Sequence, residues 1–268
     1  MEKKRYFIIT MRLLLIGVFV ISWEWSARKQ IYNPLFTSYP SAIVKDLVEF
    51  YTSGDLIKHT SVTLHEALTG LLYGTIVGVI VGLILGQFEM LGKILLPIIT
   101  AIHGIPQLTL APVYILWFGL GLTSKIFLAG LMVFFNVFFS TYAGVRNVEP
   151  KLIESATLLG ATKIQTLFHI VLPSSMPFIL SGIRVGVGSS LVGAIIGEYI
   201  GASAGFGWMI AYASSFFNIA RVMSCILILL IVGIILNFSL DKIENYLLRW
   251  RSPSNLSLQN KKNLKESY

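Results

Sequence analysis

The chain has 268 residues, of which 55% are hydrophobic and 13% are charged, and it carries a net charge of +8 at pH 7. Soluble domains carry about 25% charged residues, so this composition excludes an ordinary soluble protein and indicates a surface adapted to lipid. The single cysteine, Cys225, excludes an intrachain disulfide and any metal site built from cysteines.

Six apolar segments follow one another along the chain, and most approach the roughly 20 residues that a helix needs to cross a bilayer. They are Phe7–Trp25, Leu68–Gly86, Leu95–Phe118, Ile126–Tyr142, Gly182–Ile200 and Val222–Leu240. Separate segments can span lipid only as helices, because lipid offers no partner to unpaired backbone groups. We therefore predict an all-α membrane protein with about six transmembrane helices, the first of them an uncleaved anchor.

Lysine and arginine residues are distributed unequally between the two sides of the predicted membrane domain. If the amino terminus lies inside, most of them fall on the inner side, as the positive-inside rule requires. This bias predicts that both termini are cytoplasmic, and it accounts for the positive net charge without nucleic-acid binding. The predicted organisation is a cytoplasmic amino terminus over 1–6, a transmembrane domain over 7–251 with a cytoplasmic loop over 147–173, and a polar, disordered cytoplasmic tail over 252–268.

Glycines recur at helical spacing in the second and fifth segments. This spacing lines one helix face with bare backbone, which lets a neighbouring helix approach closely. We predict that these glycines are helix-packing positions, and such thin, close-packed helices are also able to slide or rock. They are Gly70, Gly74, Gly78, Gly82 and Gly86 in the second segment, and Gly182, Gly186, Gly193, Gly197 and Gly201 in the fifth.

The loop between the fourth and fifth segments is typical of two short amphipathic helices. Pro150 suits the first helical position, and Gly160 stands where a left-handed residue ends a helix. Thr162 and Gln165 have the spacing of a capping box that starts a second helix, and Pro173 is expected to end it. The apolar face of this hairpin must pack on the chain's own helices, on lipid headgroups or in a partner's groove. The residues alone leave these three alternatives open.

The same loop resembles the "EAA" loop of ABC importer permeases, which has Glu-Ala-Ala, three residues, Gly, nine residues, Ile, any residue and Leu-Pro. The matching positions are Glu154, Ser155, Ala156, Gly160, Ile170, Leu172 and Pro173, and serine at position 155 is the one departure. Gln107–Lys125 and the stretch GEYIGASAGFGWMI at 197–210 resemble permeases of the nitrate, sulfonate and taurine type. So does the first external stretch, in which Glu66 stands where many members have arginine.

This resemblance implies a mechanism and a set of partners. In such importers the first helix of the loop docks in a groove of a separate ATP-hydrolysing subunit. The residues expected to couple the two subunits are Glu154, Ser155, Ala156, Gly160, Ala161, Ile170, Leu172 and Pro173. Two permease copies assemble with two ATPase copies, and ATP-driven closure opens the solute path alternately to each side. The chain is thereby expected to be a permease subunit of the bacterial inner membrane that receives its solute from an extracytoplasmic binding protein. It is then not an enzyme and holds no cofactor, because ATP and magnesium bind to the partner.

The sequence itself supports the absence of catalysis. GQFEMLGKI, at 86–94, has five residues between its glycines where a phosphate-binding loop has four, and isoleucine where that loop has serine or threonine. The sequence also shows no Ser-His-Asp set, no metal spacing of two histidines and no close carboxylate pair. We predict no catalytic residue and no metal site.

Polar residues inside the apolar segments are costly in lipid and are therefore candidates for the translocation path. Ser190 and Glu198 share one face of the fifth segment, and His103 and Gln107 flank a break in the third. We predict that these four line the path; the alternative is that they bond to neighbouring helices. For Asn136 in the fourth segment we expect a bond between helices.

Two other classes of function remain open from the residues. An ion-gradient-driven secondary transporter could use Glu198, although such carriers usually show inverted repeats with paired broken helices, and the sequence shows none. A membrane scaffold would leave the polar residues unexplained. No residue distinguishes a sulfonate, taurine, nitrate or a pyrimidine-type vitamin precursor as the solute.

Overall fold

The computed structural model describes residues 2–31 and 33–248, and the elements within these ranges are helical. They are α1 Glu2–Arg28, α2 Pro34–Thr37, α3 Pro40–Thr52, α4 Asp55–Gln87, α5 Glu89–His103, α6 Gln107–Phe118, α7 Leu122–Arg146, α8 Pro150–Leu158, α9 Lys163–Thr166, α10 Leu172–Gly201, α11 Phe206–Ser215 and α12 Ile219–Leu247. A π-helical turn over Leu167–Val171 joins α9 to α10. The tail predicted over 252–268 lies outside the described residues.

Five of these helices are long and apolar enough to cross a membrane, and α5 with α6 makes a sixth if the pair is one broken span. The five are Phe7–Arg28 within α1, α4, α7, the continuous helix Lys163–Gly201, and α12. The all-α membrane fold with about six spans is therefore confirmed. The break falls at Gly104–Pro106, where proline lacks the N–H that a continuous helix requires.

Two predicted boundaries are wrong. α4 begins at Asp55 rather than near Leu68, because its first turns carry polar side chains that pack inside the protein although they interrupt the apolar pattern. Pro173 does not end a helix, since the chain continues through it into α10. The π-helical turn just before Pro173 explains this, because the Leu172 N–H donates to the Leu167 carbonyl in a wider turn.

The chain divides into two compact units. Of the described residues, unit 1 comprises 2–31, 33–70, 106–131 and 190–232, and unit 2 comprises 71–105, 132–189 and 233–248. A core of unit 1 contains Phe50, Phe206, Met209, Cys225 and Ile228, so that the cysteine packs as an apolar side chain. In unit 2, Val145, Val148 and Val171 pack together at the base of the hairpin.

The glycines of the apolar segments lie where helices approach each other. In unit 1, a Cβ on Gly70 would lie 2.6 Å from the Ala129 Cβ, and a Cβ on Gly193 would lie 2.6 Å from the Ala129 Cα. α4 and α10 therefore both meet α7 at one alanine. In unit 2, a Cβ on Gly82 would lie 2.7 Å from the Thr141 Cβ. All five glycines of the four-residue repeat in α4 are buried, as are Gly193 and Gly197 in α10.

Candidate functional site

The hairpin over 147–173 has sharply defined ends. Pro150 is the first residue of α8, and Gly160 beyond its end adopts a φ of 81°. The Gly160 N–H donates to the Thr157 carbonyl at 3.0 Å, and the Ala161 N–H donates to the Ala156 carbonyl at 2.9 Å. These two bonds form a Schellman motif, which satisfies the last carbonyls of α8. The prediction of a left-handed glycine at this turn is confirmed.

The second helix of the hairpin starts with the predicted capping box, which is confirmed. The Gln165 N–H donates to Thr162 Oγ1 at 3.3 Å, and the Thr162 N–H donates to Gln165 Oε1 at 2.8 Å. Because Thr162 follows the Schellman turn almost directly, local hydrogen bonds fix the angle between α8 and α9. The turn is therefore set by the sequence of the loop alone.

One side of the hairpin is anchored and the other is uncovered. Leu167 and Ile170 pack against the cluster of Val145, Val148 and Val171 at its base. At the turn, the side chains of Leu158 and Leu159 are 89% and 88% exposed. Ile164 and Phe168 are also largely exposed. The predicted apolar stripes thus split between an anchored base and a bare apolar tip.

The residues of the EAA-like pattern take different places in this hairpin. Ala156 is buried, Ile170, Leu172 and Pro173 are half-buried, and Glu154 and Ser155 are exposed. Within the described residues, the Glu154 carboxylate has no hydrogen-bond or ion-pair partner. An unpaired carboxylate and an apolar tip thus lie on the same short helical hairpin.

A separate polar cluster lies inside unit 1, where α11 begins. The backbone N–H of Gly205 donates to His59 Nδ1 at 2.9 Å, and that of Phe206 donates to Thr63 Oγ1 at 2.9 Å. The backbone N–H of Gly207 donates to Glu198 Oε2 at 2.6 Å. The first amides of a helix have no intrahelical acceptor, so these three side chains satisfy what would otherwise be buried donors.

The Glu198 carboxyl joins this cluster to a second carboxyl group. Its Oε1 accepts from Thr63 Oγ1 at 2.7 Å, and the carboxyl group of Glu66 lies close enough to interact with it electrostatically. The Glu66 Oε2 atom is buried and has no hydrogen-bond partner among the described residues. Both glutamates are buried. The prediction that the chain has no close carboxylate pair is wrong, because residues distant in sequence form one.

Lys125 supplies the positive charge beside this pair. Its ammonium is buried and donates to the carbonyls of Leu120 and Gly121 at 2.7 and 3.0 Å. It interacts electrostatically with both glutamates. A buried charge is tolerated when hydrogen bonds and nearby opposite charge compensate it, and Lys125 has two carbonyl acceptors beside the two carboxyl groups. From the sequence, Lys125 counts only as a charge at the end of an apolar segment, so its buried position beside two carboxyl groups could not be predicted.

The glycines of the α11 entry are part of the same arrangement. Gly205 has a φ of 101°, and a Cβ there would overlap the Glu198 carboxyl group. A Cβ on Gly207 would lie 2.7 Å from the Glu198 Cβ. The carboxyl group therefore lies directly against bare backbone. His59, Thr63 and Glu66 follow at steps of four and three residues, a helical spacing that could have identified this face of α4.

The four residues predicted to line a path are placed in three different ways. Ser190 and Glu198 are both buried within unit 1, on the face of α10 that they share with the buried Ala194. His103 is exposed in unit 2 and its ring lies 4.7 Å from that of Phe135. Gln107 in unit 1 accepts a 3.0 Å hydrogen bond from the Tyr114 hydroxyl. The path-lining role of the four stays a prediction.

The isolated polar residue of the fourth segment behaves as expected. Asn136 Nδ2 donates to Ser189 Oγ at 2.8 Å and to the Met132 carbonyl at 3.0 Å, which confirms a bond between helices. Among the residues that the structure describes, no group of three or more His, Cys, Asp or Glu side chains could hold a metal ion.

Comparison with known proteins places these features in a family. Residues 74–252 match the family described as "Binding-protein-dependent transport system inner membrane component". The chain is 33% identical to the riboflavin transport system permease protein RibX of Chloroflexus aurantiacus, over 91% of this chain and 89% of that protein. It is 31% identical to the formylaminopyrimidine transport permease protein ThiX of Halalkalibacterium halodurans, over 93% and 98%. It is 30% identical to the taurine transport system permease protein TauC of Escherichia coli, over 90% of each.

The fold also matches solved structures. A chain of the MetNI methionine ABC transporter in an inward-facing conformation superposes with a TM-score of 0.66 at 19% sequence identity. The match covers 73% of this chain and 97% of that chain. At this identity the similarity establishes the fold alone.

Proposed function

The chain belongs to the family of binding-protein-dependent transport system inner membrane components, whose members are ABC importer permeases for small solutes, and on this premise we propose how it works. The 147–173 hairpin is the element through which a separate ATP-hydrolysing subunit moves the permease. ATP and magnesium bind to that subunit, and this chain supplies the solute path. An extracytoplasmic binding protein delivers the solute, and two permease copies form the path together.

The bare apolar tip of the hairpin is the observation that carries this proposal. Leu158 and Leu159 would be costly to leave in water, since full burial of a leucine side chain is worth about 1.5–3 kcal/mol. Predicted on the cytoplasmic side, they suit the hydrophobic groove of a partner protein. Glu154 adds a charge that a cation in such a groove can pair with through a charge-assisted hydrogen bond.

The rigidity of the hairpin supports a mechanical role. The Schellman motif and the capping box hold α8 and α9 at a fixed angle, and the π-helical turn continues α9 into α10 without a loop. A displacement of the tip is therefore passed to the long helix α10 instead of being absorbed by a flexible linker. The anchored base around Val171 passes the same displacement to the end of α7.

The solute is expected to be a small polar compound of the kind carried by the relatives. Their names record taurine, riboflavin and formylaminopyrimidine, which share polar groups and small size. We propose His103, Gln107, Ser190 and Glu198 as path residues in a conformation that differs from the present one, since two of them are buried. The ion-gradient carrier is disfavoured by the family to which the chain belongs.

The experiment that tests the proposal is co-purification of the tagged chain from its native membranes. We expect an ATP-hydrolysing subunit to elute with the wild type, and its ATPase activity to fall with Glu154→Arg and with Leu159→Glu. Glu89→Arg is the matched control, because Glu89 is an exposed carboxylate of unit 2 outside the hairpin. If the two hairpin variants retain the ATPase as the control does, docking through this loop is wrong.

A further inference from the structure

A cavity of about 470 Å³ in unit 1 has no role in the proposed mechanism. Its lining comes from the first turns of α4, from α11 and from the start of α12. This volume lies within the roughly 300–1,000 Å³ that is typical of small-molecule sites. The predicted topology places the cavity on the outer side, where a solute would arrive.

An aromatic wall runs along one side of the cavity. The rings of His59 and Trp208 are nearly parallel, with centroids 5.4 Å apart, and those of Trp208 and Tyr212 are 5.2 Å apart at 19°. Phe216 continues this series at 4.9 Å from Tyr212. Because the Tyr212 side chain is 51% exposed, its ring is accessible to a ligand, and the rings behind it hold it in place. A flat ring is the shape that such a wall fits.

The polar groups of the cavity are mainly hydrogen-bond donors. Lys58 contributes an exposed ammonium, and His59, whose Nδ1 accepts from the Gly205 N–H, carries its proton on Nε2. The Arg221 Nε–H binds both oxygens of Asp46 at 2.9 Å, which leaves the terminal NH₂ groups without a hydrogen bond in the described part of the chain. Asp55 is the one acidic side chain of the lining.

The cavity is preorganised, which lowers the cost of binding. The Arg221 guanidinium lies 4.4 Å above the Phe50 ring and is fixed by Asp46, and His59 is buried and fixed by Gly205. A ligand therefore need not order these side chains, and ordering is a main cost of association.

We propose that this cavity binds the transported solute on its way in, and that the solute is a flat heteroaromatic compound rich in hydrogen-bond acceptors. Ring nitrogens, carbonyl oxygens or a carboxylate would accept from Lys58, His59 and Arg221, while the ring stacks on Tyr212. A short aliphatic sulfonate would satisfy the donors but leave the aromatic wall unused. This inference rests on the proposed transport function for its physiological meaning.

The test is ligand binding to the full-length protein in lipid nanodiscs, measured by saturation-transfer difference NMR with empty nanodiscs as the blank. The flat probes are riboflavin, cytosine, xanthine and nicotinate, and the aliphatic probes are taurine and ethanesulfonate. We expect at least one flat probe to bind and both aliphatic probes to bind more weakly. We expect Tyr212→Leu to weaken the flat probe by about fivefold or more, as loss of a stacking ring does.

Three variants keep the test specific. Tyr212→Phe retains the ring and should retain binding of the flat probe. Lys58→Met should weaken that binding, and because the Lys58 side chain is exposed, the change removes no core contact. Tyr73→Leu removes an exposed tyrosine of unit 2 and should change nothing. The inference is overturned if no flat probe binds, or if Tyr212→Leu and Lys58→Met bind it as the wild type does, in which case these rings serve only the membrane interface.

The outcome is separable from that of the proposed function. The cavity lies in unit 1 and the hairpin in unit 2, so Tyr212→Leu should leave ATPase co-purification unchanged. Absence of binding with intact ATPase co-purification contradicts the heteroaromatic site alone. Binding without any ATPase partner contradicts the docking role of the hairpin alone.

Discussion

Thr63 on α4 donates a 2.7 Å hydrogen bond to the buried carboxyl group of Glu198 on α10, 135 residues later in the chain. The same Thr63 oxygen accepts from the Phe206 N–H, so one hydroxyl connects both long helices to the start of α11. Hydroxyl groups can donate and accept at once, which suits threonine to this position. The entry of α11 is therefore held by side chains rather than by its own backbone.

We predict that Glu198→Ala strongly destabilises the protein. The change leaves the Gly207 N–H and the Thr63 hydroxyl without their acceptors, and each buried unsatisfied group costs about 1–3 kcal/mol. Glu198→Gln keeps one acceptor oxygen and should lose less. The measurement is the thermal unfolding midpoint of the purified protein in detergent at a fixed scan rate.

The control for this prediction is Glu49→Ala, which removes an exposed glutamate of the same unit. Its midpoint should match that of the wild type. An unfolding midpoint for Glu198→Ala within error of Glu49→Ala would show that the cluster around α11 contributes little to stability.

The close approach of α10 to α7 leads to a second prediction. Gly193→Leu should prevent normal folding or lower the unfolding midpoint markedly, because even a Cβ at Gly193 would lie 2.6 Å from the Ala129 Cα, which is backbone and cannot move aside cheaply. Overpacking of a well-packed site costs about 1–3 kcal/mol and sometimes more. The measurement is the yield of monodisperse protein together with its unfolding midpoint.

Gly188→Leu is the matched control in the same helix. A Cβ at Gly188 meets nothing within 4 Å, so the added side chain points into open space. Both variants replace glycine by leucine in α10, and both gain the same helix propensity. Equal behaviour of the two would mean that contact with Ala129 does not limit packing.

A third prediction concerns the ion pair between Asp46 and Arg221. The two side chains are only 10% and 14% exposed, and Asp46→Ala leaves the arginine charge without its partner. Breaking a buried pair in this way costs about 3–5 kcal/mol, and partial exposure places the expected loss at the lower end. The comparison is Arg28→Ala, which breaks an ion pair whose arginine is 68% exposed and should leave the unfolding midpoint unchanged. Similar unfolding midpoints for the two variants would show that burial does not make the Asp46–Arg221 pair contribute more to stability than the exposed pair does.

Local patterns in the sequence were enough to predict the helices and the hairpin turn. The length of the apolar segments predicted the membrane spans. Gly160, Thr162 and Gln165 form hydrogen bonds to residues a few positions away, and sequence spacing is enough to predict such local bonds. The cluster of Glu66, Glu198 and Lys125 could not be predicted in this way, because its members are brought together only by the packing of three helices. The hydropathy pattern misplaced the start of α4 for the same reason. The polar side chains in the first turns of α4 bond to buried partners that are distant in the sequence.

Pro173 shows a different limit. The rule that proline ends a helix is a local one, and another local feature cancels it here. Proline in a helix interior removes a hydrogen bond and clashes with the carbonyl four residues earlier. Here the π-helical turn over Leu167–Val171 shifts the hydrogen-bonding register just before the proline, so the helix continues. Proline spacing alone does not reveal such a turn.

The last prediction links the hairpin turn to its partner. Gly160 has a φ of 81° and a Cβ there would meet nothing within 4 Å, so substitution acts through backbone strain and not through a clash. Gly160→Val should distort the turn, because a left-handed conformation costs other residues about 1–2 kcal/mol and β-branched residues more. Gly160→Asn should be tolerated, since asparagine adopts this conformation more readily than most residues.

The measurement is the amount of ATPase that co-purifies with each Gly160 variant, normalised to the amount of folded permease. We expect the valine variant to lose most of the ATPase while its own unfolding midpoint changes little, because the turn is exposed and distant from the base around Val171. The asparagine variant should retain the ATPase. If both variants retained the ATPase equally, the angle between α8 and α9 would not control docking. The mechanical role proposed for the hairpin would then be wrong, even if Glu154 contacts the partner.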